Sequence, residues 1–271
     1  MKTMFRSDLL AGRVALITGG GTGICRGIAL AFAAHGCDLA IVSRTVEHLE
    51  PTAADLRALG VRAFAYAADV RNPVAVNEAV AAAVAGLGRL DILVNGAAGN
   101  FICRAEDLSP NGFGTVVDID LKGTFNASKA ALPYLRRQGG SVLNISATLP
   151  YLGTVGQVHA SAAKAGVDSL TRTLACEWGP YGIRVNGIAP GPVEGTEGVR
   201  RLTSEASRAG ALKGPLGRLA VVEDVANAAL YLSSEAASFV NGVTLVVDGG
   251  LWLRSASILG DERPVFDSMH S

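Results

Sequence analysis

The chain has 271 residues, with 24 Lys plus Arg against 24 Asp plus Glu and 49% hydrophobic residues. That length supports one large core, and zero net charge excludes nucleic-acid binding driven by bulk charge. No apolar run reaches the roughly 18 residues that a membrane helix needs. Cys25, Cys37, Cys103 and Cys176 lack metal-ligand spacing and read as small buried residues in a reducing compartment, so no metal is expected. Met1 to Leu10 carries Lys2 and Arg6 but no apolar signal-peptide core, and Met269-His270-Ser271 matches no targeting tripeptide. These features read as a cytoplasmic, enzyme-sized protein with neither nucleic acid nor membrane as a partner.

Val14 to Ile17 is a short apolar strand that runs into Thr18-Gly-Gly-Gly-Thr22-Gly23-Ile24 and then into a helix ending near His35-Gly36. Strand, glycine loop and helix cradle a pyrophosphate: glycines admit the phosphate, and the helix N-terminus offers unpaired N–H groups. Leu39 to Val42 is the second strand of the βαβ unit and ends in Ser43-Arg44. In a dinucleotide fold this position meets the adenosine ribose. No acid stands there to hold a free 2′-hydroxyl, and Arg44 suits a 2′-phosphate, so the expected cofactor is NADP(H).

Helix and strand then alternate. Val46 to Leu59 is helical, Ala63 to Tyr66 is a strand, and Asp69-Val70 follows it. Pro73 opens an alanine-rich helix. Asp91 to Val94 is a strand followed by Asn95-Gly-Ala97-Ala-Gly-Asn-Phe101, whose small residues leave room for a ligand. Pro110 to Gln138 holds two helical stretches with Asp118 and Asp120. Ser141 to Ile145 is a strand. Val158, Ala162, Leu170, Leu174 and Trp178, at multiples of four, predict a long helix with one apolar face. Lys164, among alanines and next to Gly166, marks a site rather than a packing position. Ile183 to Ile188 is a strand ending in Ala189-Pro190-Gly191-Pro-Val193-Glu-Gly-Thr196. Residues 197–215 read as a mobile lid, Val225 to Leu232 as a helix, and Val243 to Val247 as a last strand. The expected fold is α/β: one Rossmann domain over 1–271, a doubly wound seven-stranded parallel sheet with helices on both faces and a tail at 256–271.

These residues carry a family resemblance. Over 12–255 the chain resembles the short-chain dehydrogenase/reductase family in Thr18-Gly-x-x-x-Gly23-Ile24, Asp69, Asn95-Gly-Ala-Ala, Lys164, Arg184-Val-Asn186 with Pro190-Gly191, and Asp248-Gly-Gly. Cys25 stands where that family usually has a third glycine. The family's catalytic set is a Ser, a Tyr-x-x-x-Lys and an Asn. The matching positions here are Ala147, Ala160 with Lys164, and Asp120, so only the lysine survives. A carbonyl reductase needs a phenol to protonate the alkoxide, and alanine cannot supply one. Ser161, Tyr151 and His159 stand nearby, none at the matching position.

A narrower resemblance is to 2,4-dienoyl-CoA reductases of the peroxisomal type, which also lack the Tyr and carry an Asp for the Asn. It rests on Ala97 to Phe101, Asp118-Ile-Asp120, Ile145 to Leu149, Gln157 to Ala160, Glu177 to Pro180, and Pro190 to Gly198 with Arg200-Arg201. It implies NADPH-dependent reduction of a 2,4-dienoyl-CoA to a 3-enoyl-CoA. Hydride adds to the far end of the diene, charge moves to the thioester oxygen, and water protonates the resulting dienolate. Lys164 and Asp120 are the implied catalytic residues: the lysine on the nicotinamide ribose, the aspartate orienting it and a water. Gly19, Thr22, Gly23 and Ile24, then Ser43, Arg44, Asp69 and Val70, then Asn95 and Ala97, and finally Pro190, Gly191, Val193 and Thr196 are the implied cofactor residues. Phe101, Ser109 and Asn111 are the implied acyl-CoA residues, and Arg71 and Arg201 the partners of CoA phosphates. The nicotinamide ribose hydroxyl, a water or Thr148 is the oxyanion donor. The resemblance also implies a homotetramer built partly on the long helix, and a bacterial relative lacking the animal enzymes' peroxisomal signal. Two other readings stand beside it: a short-chain reductase of a 3-oxoacyl thioester or other carbonyl, and a non-catalytic NADP(H) sensor.

Overall fold

Five consecutive buried residues, Val14–Thr18, form β1, and their apolar and β-branched side chains suit a strand covered on both faces. The computed structural model describes residues 5–203 and 213–253. Around β1 lie β2 (Asp38–Ser43), β3 (Ala63–Ala67), β4 (Ile92–Asn95), β5 (Gly140–Ile145), β6 (Ile183–Pro190) and β7 (Thr244–Val247), in the order β3-β2-β1-β4-β5-β6-β7. Every pairing is parallel. The chain leaves β1 toward β2 on one side and later returns to β4 on the other, so a crevice opens at the C-terminal ends of β1 and β4.

Among the described residues the helices are α1 (Gly23–Ala34), α2 (Glu50–Ala58), α3 (Pro73–Leu87), α4 (Pro110–Val117), α5 (Gly123–Leu135), α6 (Val158–Trp178), α7 (Glu197–Leu202) and α8 (Val222–Ser233). Strand periodicity divides the core in two. Ala15 and Ile17 point to the side of Ile28 and Phe32 on α1 and Val225 and Ala229 on α8. Val14 and Leu16 point to the side of Val80 on α3, Ala127 on α5 and Leu174 on α6. No helix among the described residues is long and apolar enough to cross a membrane, and none of their His, Cys, Asp and Glu side chains gather as a metal site.

Three segments differ from the sequence expectation. The helix expected from Val46 splits into a short 3-10 turn, Val46–His48, and α2, because Pro51 lacks an N–H and favours a fresh helix start. The two stretches within Pro110 to Gln138 join through a π turn at Asp118–Lys122. On α6 the buried face is Ala160, Ala163, Lys164, Val167, Asp168, Thr171, Leu174, Ala175 and Trp178, while Val158 is 43% exposed. At 3.6 residues per turn a stripe of strict fours drifts around the cylinder, so Val158 and Ala162 leave the face that holds Leu174. Of the expected lid, α7 is helical and 204–212 lie outside the described residues, as does the tail at 256–271.

Burial sets thiol reactivity. Cys25 is 5% exposed and its thiol is pushed up to about 12; burial also raises Cys37. Both therefore stay thiols at neutral pH. Iodoacetamide at pH 8 should leave Cys25 and Cys37 unmodified until the chain unfolds, read by peptide mass spectrometry; labelling of either in the native protein would contradict this packing.

Candidate active site

The crevice is lined first by the β1–α1 loop. Gly19 donates its N–H to Val42 O at 2.7 Å and has φ +72, and a Cβ there would meet Gly96 O at 2.8 Å. Only glycine fits that left-handed, crowded position. Across the crevice, Thr18 Oγ1 accepts from Gly96 N at 3.0 Å and Ala97 N at 3.2 Å, tying the end of β1 to the loop after β4. Thr22 caps α1 with no side-chain bond to the first turn and no acid follows it, so the turn's N–H groups remain available to an anion. A Cβ on Gly23 would lie 3.9 Å from Thr196 Cγ2. The Pro190–Thr196 segment thus bends back over the glycine loop. Thr196 Oγ1 donates to Val193 O at 2.7 Å, and Val193 is buried against the core. These features fit a dinucleotide: a narrow glycine cradle, a free helix N-terminus and a closing loop.

Other expected cofactor residues are placed as follows. Ser43 Oγ donates to Thr45 O at 3.1 Å beside exposed Arg44. Asp69 accepts from Arg71 Nη2 at 2.6 Å, and this pairing holds its carboxyl below the usual range, with Arg44 adding a smaller pull. Val70 is buried and its carbonyl accepts from Asn126 Nδ2 at 2.9 Å. The Asn95 amide is turned inward, donating to Ser128 Oγ at 2.9 Å and Asn144 Oδ1 at 2.8 Å. It pins α5 and β5 to β4. Asn144 in turn donates to Thr171 on α6 at 2.8 Å.

The chemistry centres on Lys164 and Asp120. Lys164 is 8% exposed and Asp120 1%. The ammonium donates to Ile145 O at 2.9 Å and lies 3.2 Å from Asp120 Oδ2. Asp120 Oδ1 accepts from Gly99 N at 2.8 Å, and Thr124 Oγ1 donates to Asp120 O at 2.7 Å. One of the lysine's three donors is thereby committed to Ile145 O while Asp120 balances its charge, which leaves donor capacity for a ligand. The π turn is the local device: the wider turn carries Asp120 inward at the midpoint of α4 and α5, while Asp118 and Lys122 pair on the surface at 2.6 Å.

No phenol joins the pair. Ala160 is 1% exposed and packs with Val116 and Ala163, beside Leu149. Tyr151 is 40% exposed; its hydroxyl donates to Asp168 Oδ2 at 2.7 Å, and burial with that bond raises the phenol to about 12. Thr244 Oγ1 also donates to Asp168, at 3.2 Å. Tyr151 is therefore a locked phenol and a poor acid.

On the substrate side, Phe101 is 38% exposed and lies against His159 with ring centroids 4.4 Å apart and planes tilted at 48°. Ser109 caps α4, accepting from Gly112 N at 3.1 Å, and Asn111 O accepts from Thr115 Oγ1 at 2.8 Å. Thr148 is buried at the end of the β5 loop. Arg71 is already engaged by Asp69. Arg201 lies 3.6 Å from Glu197, a loose surface pair that leaves its guanidinium open to an anion. A groove of about 730 Å³ runs between Thr196 to Arg200 and Lys213 to Leu219; it opens beside Thr196, not over Lys164.

Sequence reasoning missed three features. The π turn has no sequence signature. The pairing of Tyr151 with Asp168 is long-range. The latch of Asn100 Nδ2 on Gln157 Oε1, at 2.6 Å, joins two segments that only the fold brings together. Replacing Tyr151 with Phe is expected to leave turnover within about threefold, while stability falls by about 1–3 kcal/mol because buried Asp168 loses a donor. Steady-state rates and urea unfolding check this; a hundredfold rate loss would make Tyr151 the acid.

The family described as enoyl-(acyl carrier protein) reductase matches residues 19–252. A peroxisomal 2,4-dienoyl-CoA reductase, (3E)-enoyl-CoA-producing, from Arabidopsis thaliana is 49% identical over 264 residues, covering 93% of this chain and 89% of that protein. A Bacillus subtilis protein named "Probable 2,4-dienoyl-CoA reductase", (2E)-enoyl-CoA-producing, is 44% identical over 246 residues, covering 89% of this chain and 97% of that protein. A solved gluconate 5-dehydrogenase from Burkholderia cenocepacia J2315, in complex with NADP and tartrate, superposes with TM-score 0.87 at 33% identity, covering 92% of this chain and 98% of that one. Family match, parallel sheet order and crevice agree: this chain is an oxidoreductase that belongs to the short-chain dehydrogenase/reductase family.

Proposed function

We propose that this chain reduces a 2,4-dienoyl-CoA to a 3-enoyl-CoA with NADPH. The observation that carries the reading is the buried Asp120–Lys164 pair in a site whose Tyr and Ser positions are Ala160 and Ala147. Such a site has charge stabilisation and no side-chain acid for an alkoxide. A conjugated thioester needs the first and can dispense with the second. The 2,4-dienoyl-CoA relatives support that substrate class.

NADPH supplies the hydride. Arg44 supports the 2′-phosphate, since no carboxylate follows β2 to hold a free ribose hydroxyl. The glycine loop and Thr22 to Ile24 hold the pyrophosphate, Asp69 and Val70 border the adenine end, and Ala97, Pro190, Gly191, Val193 and Thr196 close over the nicotinamide end. Lys164 uses a remaining donor on the nicotinamide ribose. Asp120 holds Lys164 in place and orients a water. When hydride reaches the δ-carbon of the diene, charge gathers on the thioester oxygen, and the oriented water protonates the α-carbon. Phe101, Ser109, Asn111 and Thr148 line the acyl site, and Arg201 meets a CoA phosphate more readily than Arg71, which Asp69 already holds. Val158 and Phe125, 43% and 44% exposed on α6 and α5, suit burial in a homotetramer. The compartment that fits the four reduced cysteines is the cytoplasm.

NADPH consumption with a 2,4-dienoyl-CoA, a 2-enoyl-CoA and a 3-oxoacyl-CoA, run side by side, tests this. Turnover of the diene alone is expected, with Asp120→Ala lowering its rate by about 100-fold. Turnover of the 3-oxoacyl thioester, or an Asp120→Ala variant near wild type, would overturn the reading. NADPH bound with no turnover of any substrate would favour a sensor.

A further inference from the structure

His159 is fully buried, and neither ring nitrogen has a hydrogen-bond partner among the described residues. An imidazole in that state is costly, and a Phe or Leu would fill the same volume without the penalty. Its surroundings are specific. It lies in the first turn of α6, next to Ala160 and five residues before Lys164. The Phe101 ring lies against it, with centroids 4.4 Å apart and planes tilted at 48°. The Phe101 loop is pinned there: Asn100 Nδ2 donates to Gln157 Oε1 at 2.6 Å and Gln157 Nε2 to Phe101 O at 3.4 Å. The tilted contact is apolar and gives neither ring nitrogen a partner.

Of the other unpartnered buried side-chain atoms among the described residues, Ser146 Oγ and Ser161 Oγ lie on segments next to the site, whereas Asn95 Oδ1 is in β4 and Ser233 Oγ ends α8. Ser146 Oγ follows Ile145, whose carbonyl holds Lys164, and Ser161 Oγ is two residues beyond His159. Four of the six such atoms, the two His159 nitrogens with Ser146 Oγ and Ser161 Oγ, are on the two segments that follow β5 and open α6. Phe101 is 38% exposed, so displacement of its ring is the route by which the imidazole would be reached.

We propose that His159 is a catalytic residue that donates an N–H hydrogen bond to the thioester oxygen of the substrate, the atom on which charge gathers. The proposal rests on the dienoyl thioester reading. His159 transfers no proton. The balance remains hydride at the δ-carbon and a proton from water at the α-carbon. The hydrogen bond supplies the preorganised donor that Ala160 and Ala147 cannot.

His159→Phe keeps the aromatic packing and removes both nitrogens; His159→Gln keeps a donor. With a 2,4-dienoyl-CoA, His159→Phe should lower kcat by about 100-fold at unchanged NADPH affinity, and His159→Gln should recover to within about tenfold of wild type. A structural histidine would change unfolding and leave kcat within threefold in both variants, which would overturn the proposal. Where His159→Phe fails to fold, ¹⁵N-imidazole spectra of the wild type in the dead-end complex of NADP⁺ and dienoyl-CoA decide. A shift of the His159 nitrogens supports the contact, and unchanged signals at saturation refute it. A wild type that turns over dienes while His159→Phe matches it sinks only this proposal. A wild type that turns over no diene sinks the functional reading and this proposal with it.

Discussion

Lys164 brings a positive charge into a place that is 8% exposed, and the surrounding structure answers that charge. Removing an ammonium from water costs several kcal/mol unless partners replace the lost hydration. Ile145 O and Asp120 do so at 2.9 and 3.2 Å, and Asp120 is in turn fixed by Gly99 N. The pair therefore needs three segments at once: the end of β5, the loop after β4 and the π turn between α4 and α5. A π turn adds a residue to the local ring of hydrogen bonds, and such turns recur at functional sites. Here it aims a carboxylate at a helix that regular α geometry would not face in the same way.

Sheet order explains why the glycine loop faces the loop after β4, which also holds Asp120 through Gly99 N. Reversal of direction at β1 opens the crevice between β1 and β4. Thr18 bonds both Gly96 N and Ala97 N, so the two sides of the crevice are held in fixed register. Cys25 completes the fit in an unusual way. A Cβ at Gly96 would meet its Sγ at 2.0 Å, so the sulfur takes the space beside the backbone of the β4 loop. The larger side chain in α1 is accommodated by a glycine opposite. The cradle keeps its shape although the third glycine of the family pattern is missing.

Most of the fold was legible in the sequence, because its signals are local. Apolar runs of four or five residues, each followed by glycine or small residues, give the strands their places and the alternation gives a parallel sheet. The site was half legible. Lys164 stood out as a cation among alanines, and Asp120 and Ala160 stood out against a family pattern. Their juxtaposition was not legible, since it depends on a π turn that no spacing announces. The α6 stripe failed for a geometric reason: fours drift against a 3.6-residue turn, and Val158 was placed on the wrong side. Tyr151 and His159 show the same limit. Sequence places both near the missing phenol, but only three-dimensional partners distinguish a hydroxyl bound to Asp168 from an imidazole with no partner among the described residues.

The central claim is that water, oriented by Asp120, delivers the proton to the α-carbon of a dienolate in a site that has no phenol. The relatives' names differ on the product, (3E) in one and (2E) in another, so the position of protonation is the deciding fact. The most direct measurement is the deuterium position in product formed from a 2,4-dienoyl-CoA and NADPH in D₂O, read by NMR immediately after turnover. The account predicts one deuterium at the α-carbon and a 3-enoyl product. Deuterium at the γ-carbon with a 2-enoyl product would contradict it.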